Sequence, residues 1–320
     1  MRKILALFVL LSVLVSCEKE LRTSLKIDVS NIHINTNVNR FDVDFYTTNK
    51  STLNETKKKY PFLFPSQPDS IWINKIKNKD EQDLFNETQK VYENIDGLIS
   101  EVNSLFKHVK YYNPKFKSPR VITMLTDVDY NNRIVYADSL LLISLDVYLG
   151  KKHWVYSDYP AYIKQNNEKE HIVVDVASAI INTQIRSKKT RTFIDKMIYK
   201  GKKMYLLDAY LPYVSDKEKI GYSKLKFDWA EKNEEQIWKY FVEKDYLYST
   251  SKELDKRFID IAPFSKFYLD GDNQTPGRIG EWIGWQIVRS YMQKNDVSLH
   301  ELLRTSEDQI FKKSGYKPKK

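Results

Sequence analysis

The stretch "GDNQTPGRIGEWIGWQIVRSYM", residues 271–292, decides how the chain folds. It holds Gly271, Gly277, Gly280 and Gly284, four of the nine glycines in 320 residues. From Ile279 onward the other residues read as a buried helix. Glycine inside a helix costs about 1 kcal/mol relative to alanine. At 3.6 residues per turn, Gly280 and Gly284 fall one turn apart on one face. That spacing lets another backbone approach closely, so the expectation is a helix pressed against a second helix of the core. The alternative is a close-approach wall for a bound chain. Gly277 follows Pro276, a suitable helix start. Arg278, Glu281, Trp285 and Arg289 form a separate stripe, with Glu281 in reach of Arg278 or Arg289. "GRIGEWIG" is no phosphate cradle, because no strand precedes it and its glycines run on into an apolar helix.

Working outward, the C-terminal half predicts helices over 190–211, 227–247, 252–260, 277–294 and 299–313. Ser298 with Glu301 and Ser306 with Gln309 make capping boxes, and Gly315 is a terminator. A helix over 169–186 places Ile172, Val173, Val176, Ala177, Ile180 and Ile181 towards a core. Residues 80–110 carry a long helical pattern. Period-two alternation over 32–46 predicts a strand. Residues 120–150 predict a strand, a turn at Asn131-Asn132, a short strand and a buried strand over Leu140–Leu145. Pro61, Pro65 and Pro68 make 60–70 a loop. The fold class is therefore α+β and mostly helical, a small early sheet followed by a helical bundle.

The first residues, "MRKILALFVLLSVLVSC", place Arg2 and Lys3 before an apolar run from Ile4 to Val15, the pattern of an export signal. The run is short for a bilayer span of about 20 residues. It ends at Cys17, the single cysteine. Small residues before a lone cysteine resemble a bacterial lipobox, in which Cys17 is lipidated and becomes the first residue. Acyl chains anchor effectively permanently, at about 0.8 kcal/mol per buried CH₂. The organisation expected is a lipoprotein signal peptide over 1–16, lipidated Cys17 and a tether to 26, one globular domain over 27–316 and a basic tail over 317–320. The net charge of +10 is interspersed. With no RNP-like, zinc-finger or helix-turn-helix pattern, nucleic acid is not an expected partner.

His33, His108, His153, His171 and His300 show no HxxxH spacing, and "HELLR" at His300 lacks the second histidine of HExxH. No metal or cofactor is implied. GxSxG and P-loop patterns are absent. Asp127 and Asp129 read as turn acids beside Asn131-Asn132. Asp175 lies among apolar residues, where a carboxylate needs a partner or an exposed edge.

"YLGKKHWVYSDYPAYIKQN" (148–166), "HIVVDVASAI" (171–180), "TFIDKMIYKGKKMYLLDAYLP" (192–212) and "TPGRIGEWIGWQIVRSYM" (275–292) together resemble the gliding motility-associated lipoprotein GldB family of Bacteroidota. The resemblance implies a cell-envelope lipoprotein needed for gliding, its body in the periplasm, partnered by other motility or secretion proteins. The order of elements is also similar to zincin-type metallopeptidases. There the first helix would carry HExxH and the second Glu-Gly; here they hold "VVDVASAI" and Lys200-Gly201. A lysine ammonium repels zinc. The similarity then implies a peptidase-like scaffold without peptidase chemistry, its groove offering Asp175, Lys200, Gly280, Glu281, Gly284 and Trp285 to a partner. The competing class is an envelope hydrolase, acting on peptide or cell wall through carboxylates such as Asp175 and Glu281.

Overall fold

The computed structural model describes residues 25–137, 139–185 and 190–319. The export signal, Cys17 and the start of the tether lie outside the described residues. Contacts divide the described residues into two compact units, one within 32–180 and one formed by 25–31 with those of 181–319.

The first unit holds a four-stranded sheet: β1 (Val38–Arg40), β2 (Arg120–Met124), β3 (Ile134–Ala137) and β4 (Leu140–Ser144), in the order β1-β2-β4-β3. β1, β2 and β4 run parallel, with Val121 opposite Leu141. β3 is antiparallel to β4, with Ile134 opposite Ile143. Parallel strands covered on both faces read as apolar runs, and Val121, Ile122, Leu141 and Ile143 are buried. The edge strand β3 alternates half-buried and exposed residues.

The strand expected over 32–46 is a correction. Only Val38–Arg40 pairs with the sheet, and Phe41–Tyr46 is a helix, α1. The apolar positions 41 and 45 fit both periods. They lie one helical turn apart, with ring centroids 5.2 Å apart. The helical turn also buries Asp42, whose carboxylate accepts from Arg40 Nε at 3.0 Å and from the Thr123 hydroxyl. A buried carboxylate needs such donors. The pattern over 80–110 divides into α2 (Lys79–Tyr92) and α3 (Asp96–Tyr112). Tyr92 ties α2 to the segment after β4 by donating to the Tyr148 carbonyl at 2.7 Å.

Helix α4 (Ile172–Gln184) crosses the boundary between the units. The second unit is helical, with α5 (Phe193–Tyr210), α6 (Ile279–Lys294) and α7 (Glu307–Ser314) at its centre. The helix expected over 227–247 divides at Asn233, and that over 299–313 divides before Glu307, whose amide follows the capping residue Ser306. Ser298 and Glu301 complete the expected capping box, and Gly315, at φ +49°, ends α7.

α5 and α6 pack through their glycines. A Cβ on Gly201 would lie 2.1 Å from the Gly284 carbonyl oxygen, and a Cβ on Gly284 would lie 1.8 Å from the Met197 carbonyl oxygen. No side chain fits there, which answers why the cost of helical glycine is borne. Phe193, Phe241 and Phe258 pack edge-on and tilted beside this crossing, with centroids 5.0–5.9 Å apart. Lys202, 2% exposed, donates from Nζ to the Thr305 carbonyl at 2.6 Å and to Glu307 at 2.7 Å, fixing the start of α7. After Gly315 the tail returns to Glu234, whose carboxylate accepts from the Tyr316 hydroxyl at 2.9 Å and the Lys319 amide at 3.1 Å. Among the described residues no helix is long and apolar enough to cross a membrane.

Candidate functional site

The charged stripe of α6 meets a carboxylate buried in α5. Asp208 sits in the apolar run "YLLDAYL" and is 4% exposed. Four donors surround it: Lys219 Nζ at 2.9 Å, Trp285 Nε1 at 2.8 Å, and Arg289 through Nε at 2.8 Å and Nη2 at 2.7 Å. The other edge of Arg289 holds Asp216, at 2.8 and 3.0 Å. Its guanidinium lies 3.8 Å from the Trp285 ring centroid, a cation–π stack. Burial opposes the charge on Arg289, but Asp208 and Asp216 outweigh it and hold the group above its usual range. Such bidentate pairs have fixed geometry.

Local structure supplies the remaining partners. The Ser215 hydroxyl accepts the Glu218 amide at 3.2 Å and starts a short helix, Asp216–Ile220, that ends at left-handed Gly221. Asp216 and Lys219 stand three residues apart on it, both turned to the cluster. Above lies a cavity of about 410 Å³, walled by Pro212, Tyr213 and Phe227 and also by Leu25 and Lys26. The Lys26 ammonium sits 5.6 Å from the Tyr213 ring centroid.

The α5–α6 pair brings together most of the residues singled out in the sequence. Gly284 faces Met197, and Gly280 packs on Ile259, Phe258 and Met197. Trp285 is the indole on Asp208. Glu281 pairs with Arg278 at 2.9 Å; Arg289 goes to the two aspartates. Lys200 is half-buried on α5 and acts on its neighbour: burial, then the Lys200 charge, lowers the pKa of Lys203, against the pull of Glu281.

Asp175 belongs to the first unit and is satisfied there. It accepts from Arg133 at 2.7 and 3.1 Å and from the Tyr148 hydroxyl at 2.8 Å, with His171 Nε2 at 3.8 Å. Burial would raise its pKa; His171, Arg133 and Tyr148 together hold it below the usual range. Asp129 is a turn acid, accepting the Asn131 and Asn132 amides at 3.0 and 3.3 Å, and Asp127 is exposed, 3.5 Å from Lys75. Among the described residues no three His, Cys, Asp or Glu side chains converge as metal ligands would.

Two buried carboxylates inside apolar runs went unremarked in the sequence, besides Asp42, Glu234 and Glu307. One is Asp208. The other is Asp146 in "LLISLDVYL", with 0% exposure. Its Oδ2 accepts the Thr126 and Val128 amides at 3.0 and 2.7 Å, while Oδ1 has no hydrogen-bond partner among the described residues. The loop reaches this geometry with Asp127 and Val128 at φ 55° and 61°. Burial pushes the Asp146 pKa up to about 6, against those amide donors. In both cases the signal was a charge inside an apolar run.

A family model described as gliding motility protein GldB matches residues 22–318. No curated protein and no solved structure matches the chain.

Proposed function

The chain belongs to the GldB family of gliding motility proteins, and from that premise we propose that it is a lipid-anchored envelope protein serving gliding by binding other components of the motility and secretion machinery, without catalysing a reaction. The match across 22–318, nearly the whole chain, carries the reading. The export signal and lone Cys17 support an anchor, with the body in the periplasm.

The cavity over Asp208 is the docking point in this reading. Its buried charges are arranged as ion pairs, which suits a rigid recognition surface better than proton transfer. Leu25, on its wall, is eight residues from Cys17, so it lies within about 30 Å of the lipid even when the tether is extended. The occupant is a polar segment of a membrane-proximal partner. Lys200-Gly201 is, on the same reading, the trace of a metallopeptidase-like scaffold whose chemistry is gone.

A photo-crosslinking residue at Tyr213, 70% exposed on the cavity wall, is expected to capture motility or secretion components in living cells. Capture of none of them, with the protein present and anchored, overturns the docking reading. Cys17→Ala is expected to abolish labelling by palmitate; persistent labelling refutes the anchor. One equivalent of zinc in the purified protein overturns the scaffold reading.

A further inference from the structure

A second cavity of the helical unit, about 430 Å³, lies between the helices Lys224–Lys232 and Glu234–Glu243 and the loop 267–275. Its size falls within the roughly 300–1,000 Å³ of small-molecule sites. We propose that it binds a neutral saccharide, a site separate from the Asp208 cavity and independent of the docking reading.

The half-buried Trp229 ring supplies the platform, tilted against the buried Phe267, on which Tyr240 packs edge-on. Trp229, Tyr240 and Phe267 line the cavity, with the Trp229 and Phe267 centroids 6.4 Å apart and those of Tyr240 and Phe267 5.0 Å apart. The negative face of an aromatic ring attracts the weakly positive C–H face of a pyranose. Around the platform stand three amides, Asn233, Gln236 and Gln274. Asn233 donates from Nδ2 to the Trp229 carbonyl at 2.8 Å, which fixes the side chain and leaves Oδ1 to accept. An amide both donates and accepts, matching hydroxyls that do the same.

Charge selects among sugars. Glu243, Asp270 and Asp272 line the cavity with Lys239, which pairs with Glu243 at 3.7 Å and leaves the two aspartates in excess. The excess of carboxylates repels phosphorylated or uronic ligands and accepts hydrogen bonds from neutral diols.

The wall is built before any ligand arrives. Lys226 Nζ donates to the Asn273 and Thr275 carbonyls, both at 2.6 Å. The Thr275 hydroxyl is buried, accepting the Ser265 amide at 2.9 Å, and Asp272 accepts the Tyr268 amide at 2.9 Å. Preorganisation lowers the entropy cost of binding.

The test is titration of the purified full chain, in detergent, with triacetylchitotriose, cellotriose and mannotriose, beside a hyaluronan tetrasaccharide and a hexalysine peptide. At least one neutral trisaccharide is expected to bind saturably, quench tryptophan fluorescence and outcompete the uronic one. Trp229→Ala is expected to weaken binding about tenfold or more, while Trp229→Phe recovers part of it. Gln236→Ala, at an exposed position that leaves the fold untouched, is expected to weaken binding about fivefold. No saturable binding by any neutral trisaccharide overturns the proposal. So does binding that none of these substitutions changes, and so does binding of hexalysine alone, which would assign the site to a basic peptide.

Discussion

At Gly284 a single hydrogen atom separates two helices. A methyl group there would meet the Met197 carbonyl oxygen at 1.8 Å, so backbone must move. Gly284→Ala is expected to cost at least about 2–3 kcal/mol, read from the denaturant midpoint. Gly97→Ala is the control: nothing lies within 4 Å of that Cβ, and the change is expected to be neutral or stabilising by at most about 1 kcal/mol. Asp146 is a different kind of constraint. Its folded pKa, about 6, stands above its ordinary 3.8, so the folded protein binds a proton that the unfolded chain has already lost. The ionised carboxylate in its buried place costs about 3 kcal/mol above pH 6, and that cost disappears as pH falls towards 4. Asp146→Asn keeps an acceptor for the Thr126 and Val128 amides and removes the charge. The variant is expected to be more stable than the parent at pH 7, with the difference vanishing by about pH 4. A difference that is the same at both pH values refutes the assignment.

The crossing of α5 and α6 was legible as half of a contact. Spacing gave Gly280 and Gly284 one face and forecast a close neighbour. Nothing in the sequence could name Gly201 as that neighbour, because helix partners are set by tertiary packing. The ion pairs show the same boundary. Arg289 was placed on the correct stripe, yet its partners come from Asp208, on α5, and Asp216, on the following short helix. Strand 32–46 failed for another reason: residues at 41 and 45 satisfy two periods, and buried Asp42 needed donors that only the helical turn supplies. The boundary at Asn233 was missed because Glu231–Gln236 are mostly good helix formers and Asn233 makes no side-chain cap to the helix it starts, whereas the one before Glu307 was marked by the cap at Ser306 although the expected helix runs through it. The network itself makes a prediction at this scale. Asp208→Ala leaves Arg289 and Lys219 short of a buried counter-charge and is expected to cost about 3–5 kcal/mol.

Two compact units in one chain forecast that unfolding has more than one step. Calorimetry is expected to give a total enthalpy above the van't Hoff value, with two transitions. Asp208→Ala is then expected to lower one transition, that of the helical unit, while an Asp175→Ala change, removing the partner of Arg133 and Tyr148, lowers the other. A single transition shifted alike by both variants contradicts the division.

The helical unit is discontinuous in sequence, its first segment ending at Asn31 and its bulk beginning at Ile181. A chain emerging amino-end first therefore completes the sheet unit early, while Leu25 and Lys26 wait for residues 208–231 to form their side of the cavity. Domains fold as units in order of emergence. A transcript broken after residue 180 still encodes one closed unit. One broken between α5 and α6 encodes a helix that presents Gly201 and its apolar face to no partner, a natural target for proteases and chaperones.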